Sequence, residues 1–154
     1  MAVIDLDEAD CAGTVEAIRG EGGTARAIAA DVADEGLVGD AVARVVAELG
    51  PPTVLVNNAG VGPRADLVEM TTEQWDMVLG VNLRGPFFLT RAVVPYMVEA
   101  GWGRIVTMSS VSAVGDNWPP RARAAGQPSR EPPLHRSPAA LAIIADPMPK
   151  TCHT

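Results

Sequence analysis

The residues of this chain equipped to do chemistry stand where apolar runs stop. Asp5 follows Ala2-Val3-Ile4, Asp31 lies near the end of the run that begins at Ala25, and Asn57-Asn58-Ala59-Gly60 follows Val54-Leu55-Val56. Ser109-Ser110 follows Ile105-Val106-Thr107-Met108, and one more amide, Asn82, sits within Gly80-Val81-Asn82-Leu83-Arg84-Gly85. Carboxylates, amides and hydroxyls can accept from a ligand's hydroxyls or donate to a carbonyl. Each also has an ordinary structural use. Asp5 and Asp31 suit the cap of a helix or loop. Asn and Gly tolerate left-handed backbone angles, so Asn57–Gly60 suits a turn. A helical Asn is commonly solvated or bonded to its own turn, and Ser-Ser at a strand end is commonly loop chemistry. The chain has one tyrosine, Tyr96, on an apolar helix face, and one lysine, Lys150, far from it. His135, Cys152 and His153 lack the further ligands that a zinc site requires, so no metal is expected.

The elements that must position these residues follow from periodicity. Ala2–Leu6 reads as a short buried strand. Asp7 stands at a helix N-cap with Glu8 and Asp10 in the first turn, and that helix stops at Gly20-Glu21-Gly22-Gly23. Ala25–Val32 reads as a second strand. Asp34 caps a second helix whose apolar positions Leu37 or Val38, Ala41, Val42, Val45, Val46 and Leu49 share a face, and Gly50-Pro51-Pro52 ends it. Thr53–Asn57 is apolar throughout its centre, as in a parallel strand covered on both faces. Thr71 or Thr72 caps a third helix, and Pro86 and Pro95 predict a kink or restart before Met97. Ile105–Met108 is a fourth strand. Strands alternating with helices predict a doubly wound α/β fold.

The chain has 154 residues and a net charge of −7. The acidic balance argues against a nucleic-acid partner, which needs a basic face. No apolar run of the roughly 18 residues needed to span a bilayer is evident, which argues against a membrane protein. The N-terminus lacks the features of a secretory signal, so a cytoplasmic protein is expected. Charge and composition both change after Asn117. Residues 1–117 carry a net −10, whereas 118–154 carry +3 and are rich in Pro and Arg. Periodicity stops there too, which predicts two parts: an ordered domain over 1–117 and an irregular tail over 118–154. Within the tail only Ala139–Ala145 is apolar enough to dock on anything.

In its order of motifs, the stretch 2–117 resembles the short-chain dehydrogenase/reductase family. The run Val54–Gly60, the Val81-Asn82 pair and the run Gly103–Ser110 carry the resemblance. It implies a partial Rossmann-like doubly wound parallel sheet and an oxidoreductase moving hydride between NAD(P) and an alcohol or carbonyl substrate. Asp5 matches the acid that accepts from the adenosine ribose, which implies NAD rather than NADP. Asp31 and Val32 match the acid and aliphatic pair beside the adenine, and Asn58, Ala59 and Gly60 line the adenosine pocket. Asn82 matches the helix asparagine of the proton relay. Ser110, rather than its neighbours Ser109 and Ser112, matches the serine that polarises the substrate carbonyl.

Two departures from the family pattern accompany these matches. The glycine-rich turn that cradles the cofactor pyrophosphate is absent, because the chain starts at the family's second strand; Gly20–Gly23 ends a helix instead of opening one. Where the family's Tyr-x-x-x-Lys should fall, the chain reads Ala122-Arg123-Ala124-Ala125-Gly126-Gln127. An alternative to the oxidoreductase is therefore a catalytically incompetent fragment holding the adenosine end of the cofactor or a partner subunit. The tail after Asn117 reads as divergent or as an out-of-frame translation. A sheet without the family's first strand leaves a gap, to be closed by direct pairing of Val3–Leu6 with Val54–Asn57 or by another chain. Such a sheet is expected to be poorly stable alone. Homo-oligomers, which the family often forms through the helix bearing Phe87–Met97, remain open.

Overall fold

The computed structural model describes residues 1–62, 68–109, 135–136 and 141–144. The local signals of capping act largely where the sequence places them. Asp7 accepts from the Ala9 N–H at 2.9 Å and opens a 3₁₀ turn, Glu8–Cys11, which leads into α1 (Ala12–Gly20). Asp34 accepts from Leu37 N–H at 2.9 Å and opens α2 (Glu35–Leu49). Thr71 and Gln74 satisfy each other's backbone N–H in a capping box at the head of α3 (Thr72–Leu79). The strands β1 (Ala2–Asp5), β2 (Arg26–Ala29) and β3 (Val54–Asn57) are each trimmed relative to the runs that signal them, and β5 (Arg104–Thr107) begins one residue before its apolar run. Two-residue strands β4 (Val61–Gly62) and β6 (His135–Arg136) pair antiparallel.

Of the two prolines expected to kink or restart the third helix, Pro86 marks a restart and Pro95 interrupts nothing. Pro86 occupies the first turn of α4 (Gly85–Glu99), where its missing N–H is tolerated, and Pro95 is carried inside the helix. α3 passes into α4 through one π turn, Gly80–Arg84, in which the Gly85 N–H reaches the Gly80 carbonyl, so the α-helix restarts at Gly85. The resulting helix, Thr72–Glu99, has the length and apolarity to cross a membrane by composition alone, and its Leu89, Val93 and Met97 are buried in the core.

The main sheet has five strands in the order β2-β1-β7-β3-β5, with β7 formed by Leu141–Ile144. β1 pairs parallel with β2, and β3 parallel with β5. Between them β7 runs antiparallel to both β1 and β3. Neither of the expected closures occurs: β1 and β3 do not pair directly, and no second chain is needed to fill the gap. The chain's own segment does so, because it is apolar and unbranched by proline over the four residues that the slot requires. Asn117 therefore marks a change of composition but not the limit of the sheet. Apart from β6 and β7, the stretch assigned to an irregular tail lies outside the described residues.

The register explains why β7 is held. Ile143 stands opposite Ala2 on one side and Leu55 on the other, and all three are 0% exposed. They join Ile4, Ile28, Val42, Val45, Leu89 and Val93 in the core between the sheet and the α2–α4 face. On the opposite face Val3, Cys11, Val15 and Ala25 form a smaller cluster under α1. The fold is thus doubly wound, though unevenly covered. β5 is an outer edge, exposed along its whole length, with Ile105 and Val106 at 42% and 45% exposure.

Candidate functional site at the carboxyl edge of the sheet

β1, β2, β3 and β5 run in one direction, so their carboxyl ends share an edge. The crevice outside that edge is where open α/β sheets bind ligands. Asp5 ends β1, Asp31 and Val32 follow β2, and Asn58, Ala59 and Gly60 follow β3, so the structure brings these candidates to the same edge. Ser109, exposed, follows β5, while Ser110 lies outside the described residues.

Several of these side chains have local structural work. Asp5 Oδ1 accepts from the Leu6 N–H at 2.8 Å, and its backbone carbonyl accepts from Ala30. Asp31 Oδ1 accepts from the Ala33 N–H at 2.8 Å, the loop cap that an acid at a strand end commonly provides. Val32 is buried in the core against Gly85. A Cβ at Gly85 would lie 2.9 Å from Val32 Cγ2, so the first turn of α4 and the end of β2 approach as closely as a glycine permits. Asn57 is 4% exposed, with Nδ2 donating over 3.4 Å to Thr107 Oγ1. Its Oδ1 and the Thr53 Oγ1 are buried without a hydrogen-bond partner among the described residues.

Asn82 is exposed, but its side chain does not bond its own turn. Its Oδ1 accepts from the Val61 N–H at 2.9 Å and its Nδ2 donates to the Val61 carbonyl at 2.8 Å. One side-chain amide thus imitates a strand neighbour and fixes the segment just after Asn58–Gly60. Gly60 lies against it, since a Cβ there would be 3.7 Å from Asn82 Oδ1. The π turn carries Asn82, and Pro86 has no N–H to give the Asn82 backbone carbonyl. Val61, Gly85 and Pro86 are site residues that motif reading passes over. The one signal in sequence is a proline four residues beyond an asparagine.

Elsewhere on the sheet and its helices, charge is arranged by short-range pairing. Arg44 bridges Glu8 and Glu48, at 2.8 Å each, and Arg26 reaches Glu48 at 3.3 Å, tying the turn after β1 to α2 and β2. Arg44 holds the exposed Glu48 carboxyl below its ordinary pKa. Arg91 pairs with Glu35 and lies over the Phe87 ring at 4.8 Å. The buried Cys11 thiol donates to the Val3 carbonyl at 3.4 Å, and burial, then the charge of Asp5, pushes its pKa up. It is inert rather than nucleophilic.

This edge suits one end of a dinucleotide and not the other. Carboxylates and an Asn-Gly turn suit the hydroxyls and base of an adenosine. A pyrophosphate needs free backbone N–H groups at a helix N-terminus. Among the described residues, one N–H at the start of each of the first 3₁₀ turn, α2 and α3 is already taken, by Asp7, Asp34 and Thr71, and the carboxylates of Asp7 and Asp34 would repel a phosphate there. In the middle of the edge stands the amino end of β7, a strand running the opposite way. A whole dinucleotide therefore does not fit the described residues.

Comparison with known proteins agrees with this architecture. A family profile for short chain dehydrogenases matches residues 1–119. The short-chain reductase protein NovJ of Streptomyces niveus is 46% identical over 114 residues, 74% of this chain and 44% of that protein. The D-threitol dehydrogenase of Mycolicibacterium smegmatis is 39% identical over 113 residues, 73% of this chain and 44% of the relative. Among solved structures, a gluconate 5-dehydrogenase of Burkholderia cenocepacia in complex with NADP and tartrate superposes with a TM-score of 0.66 at 33% identity, covering 73% of this chain and 44% of that one. The chain thus spans less than half the length of these relatives. With a doubly wound sheet, the asparagine turn at its carboxyl edge and a matching profile over most of its length, the chain belongs to the short-chain dehydrogenase/reductase family of oxidoreductases.

Proposed function

We propose that the protein is an oxidoreductase moving hydride between a nicotinamide dinucleotide and a small alcohol or carbonyl substrate, and that residues 1–117 of this chain supply the adenosine side of its cofactor site. The observation that carries the reading is the convergence of Asp5, Asp31 and Asn58–Gly60 on the carboxyl edge of one sheet. In this reading the Asp5 carboxylate accepts from the ribose hydroxyls and repels a 2′-phosphate, which favours NAD. Val32 backs the adenine from the core. Asn82 is a positioning residue acting through Val61, and Ser110 is the donor to the substrate carbonyl.

A second reading is favoured by the strand that fills the middle of the edge. With β7 there and no Tyr-x-x-x-Lys after Ser110, this chain by itself holds an adenosine and performs no turnover. Without a positioned proton donor, the roughly 10²–10⁴-fold that general acid catalysis contributes is forgone.

Calorimetric titration of the chain with AMP, 2′-phospho-AMP and NAD, alongside an NADH-oxidation assay, tests both. AMP and NAD should bind within about threefold of each other, because the second half of the dinucleotide gains few contacts, and 2′-phospho-AMP should bind roughly tenfold more weakly, about 1.4 kcal/mol. No binding of AMP at millimolar concentration sinks the adenosine assignment. Steady oxidation of NADH by a homogeneous sample discards the second reading and keeps the first.

A further inference from the structure

We propose that the central slot of the sheet is a strand-binding site that takes residues 141–144 from a second copy of this chain as well as from its own. Four observations lead there. β7 is held by backbone pairing on both sides and by one fully buried side chain, Ile143. Those contacts are the same whichever chain supplies the strand. β5 ends at Thr107 and β7 begins at Leu141, so 33 residues (108–140) join them. Since β7 is antiparallel, both junctions lie on the carboxyl edge, only two strand spacings apart, about 10 Å.

Within that connection β6 pairs with β4, so β6 and β7 exchange together, and the 27 residues before β6 (108–134) still span up to roughly 90 Å when extended, far more than that gap demands. Loop closure therefore does little to restrict the strand to its own slot, because its cost grows only slowly with length. β7 itself is short, and its two neighbours are the ends of separate parallel pairs with no pairing between them, so its withdrawal opens one contiguous acceptor. Exchange of an identical element between copies is a low-cost route to dimers. The tether sets the balance: a connection of this length gives an effective concentration of about a millimolar, so own-strand closure dominates in dilute solution and exchange rises toward millimolar protein.

Cysteine pairing across the register reads the exchange directly. Val56 and Ala142 are partners between β3 and β7. In a Cys152→Ser background, one full-length chain carries Val56→Cys and another Ala142→Cys; the two are denatured, mixed, refolded and oxidised. Interchain disulfide should form at about 1 mM protein and fall by roughly a hundredfold in yield at about 10 µM, following mass action against the tether. The single chain carrying both substitutions should close intramolecularly at either concentration. Failure of that internal bond overturns the placement of β7 and the proposal with it. An internal bond without any mixed-chain product at millimolar concentration shows a slot that admits only its own strand, and equally ends the proposal. Equal mixed-chain product from a partner carrying Asp40→Cys, exposed on α2, does the same, because it marks random collision.

Discussion

Asn82 shows how a residue whose type is legible can have an illegible role. The sequence places it in a helix, and family resemblance links it to a proton relay. Its partner is the backbone of Val61, 21 residues earlier, and no spacing rule announces such a pair. Replacing Asn82 with Ala deletes both bonds. At about 1 kcal/mol each the loss is roughly 1–2 kcal/mol, softened because the site is exposed. The discriminating measurement is amide exchange at Val61, which should accelerate in Asn82→Ala while amides of α2 keep their protection; unchanged exchange at Val61 contradicts the clamp. Cys11 gives a second expectation at this scale. Its folded pKa is raised, so the neutral thiol's contribution is complete below the unfolded pKa and declines as pH rises through the folded value. Stability should therefore fall above about pH 8.5 in the wild type and fall less in Cys11→Ala, as chemical denaturation at stepped pH would reveal.

Helices and turns carry most of what sequence can announce, because capping is chemistry between near neighbours. Asp34 and Thr71 act as their positions suggest, within three residues of the groups they satisfy. Pro86 marks a restart, as the proline rule allows: it falls in the first turn of α4, where no N–H is missed, after a π turn that separates α4 from α3, whereas Pro95 is carried inside the helix. Glycines within helices divide by surroundings that sequence does not show. At Gly39, in α2, a Cβ meets nothing within 4 Å, so Gly39→Ala should stabilise by about 0.5–1 kcal/mol. At Gly85 the same change drives a Cβ to 2.9 Å from Val32 Cγ2 and 3.2 Å from its carbonyl oxygen. The helix-propensity gain of about 1 kcal/mol is there outweighed by overpacking of about 1–3 kcal/mol. Thermal melts of the two variants should move in opposite directions; a Gly85→Ala protein at least as stable as the parent removes the close approach.

At the scale of the whole molecule, the layered fold class is legible and the strand order is not. Alternating apolar runs and amphipathic helices suffice for a doubly wound sheet. Which segment sits in its middle depends on pairing across more than 80 residues, from Leu55 to Ile143, and a four-residue apolar run among prolines gives only the hint that it can dock. Ile143→Asp should test the weight of that strand. Burying a carboxylate opposite Ala2 and Leu55 costs several kcal/mol, comparable with the 5–15 kcal/mol that holds a typical domain together. The cooperative transition should disappear or move down by tens of degrees; a melt like the parent's shows the strand to be dispensable. The late position of β7 also bears on biosynthesis. Thirty-seven residues, 108–144, must emerge from the ribosome after β5 before the sheet is complete. At about 5–20 residues per second that is roughly 2–7 s during which two half-sheets wait with their inner rims unpaired, a window suited to chaperone capture.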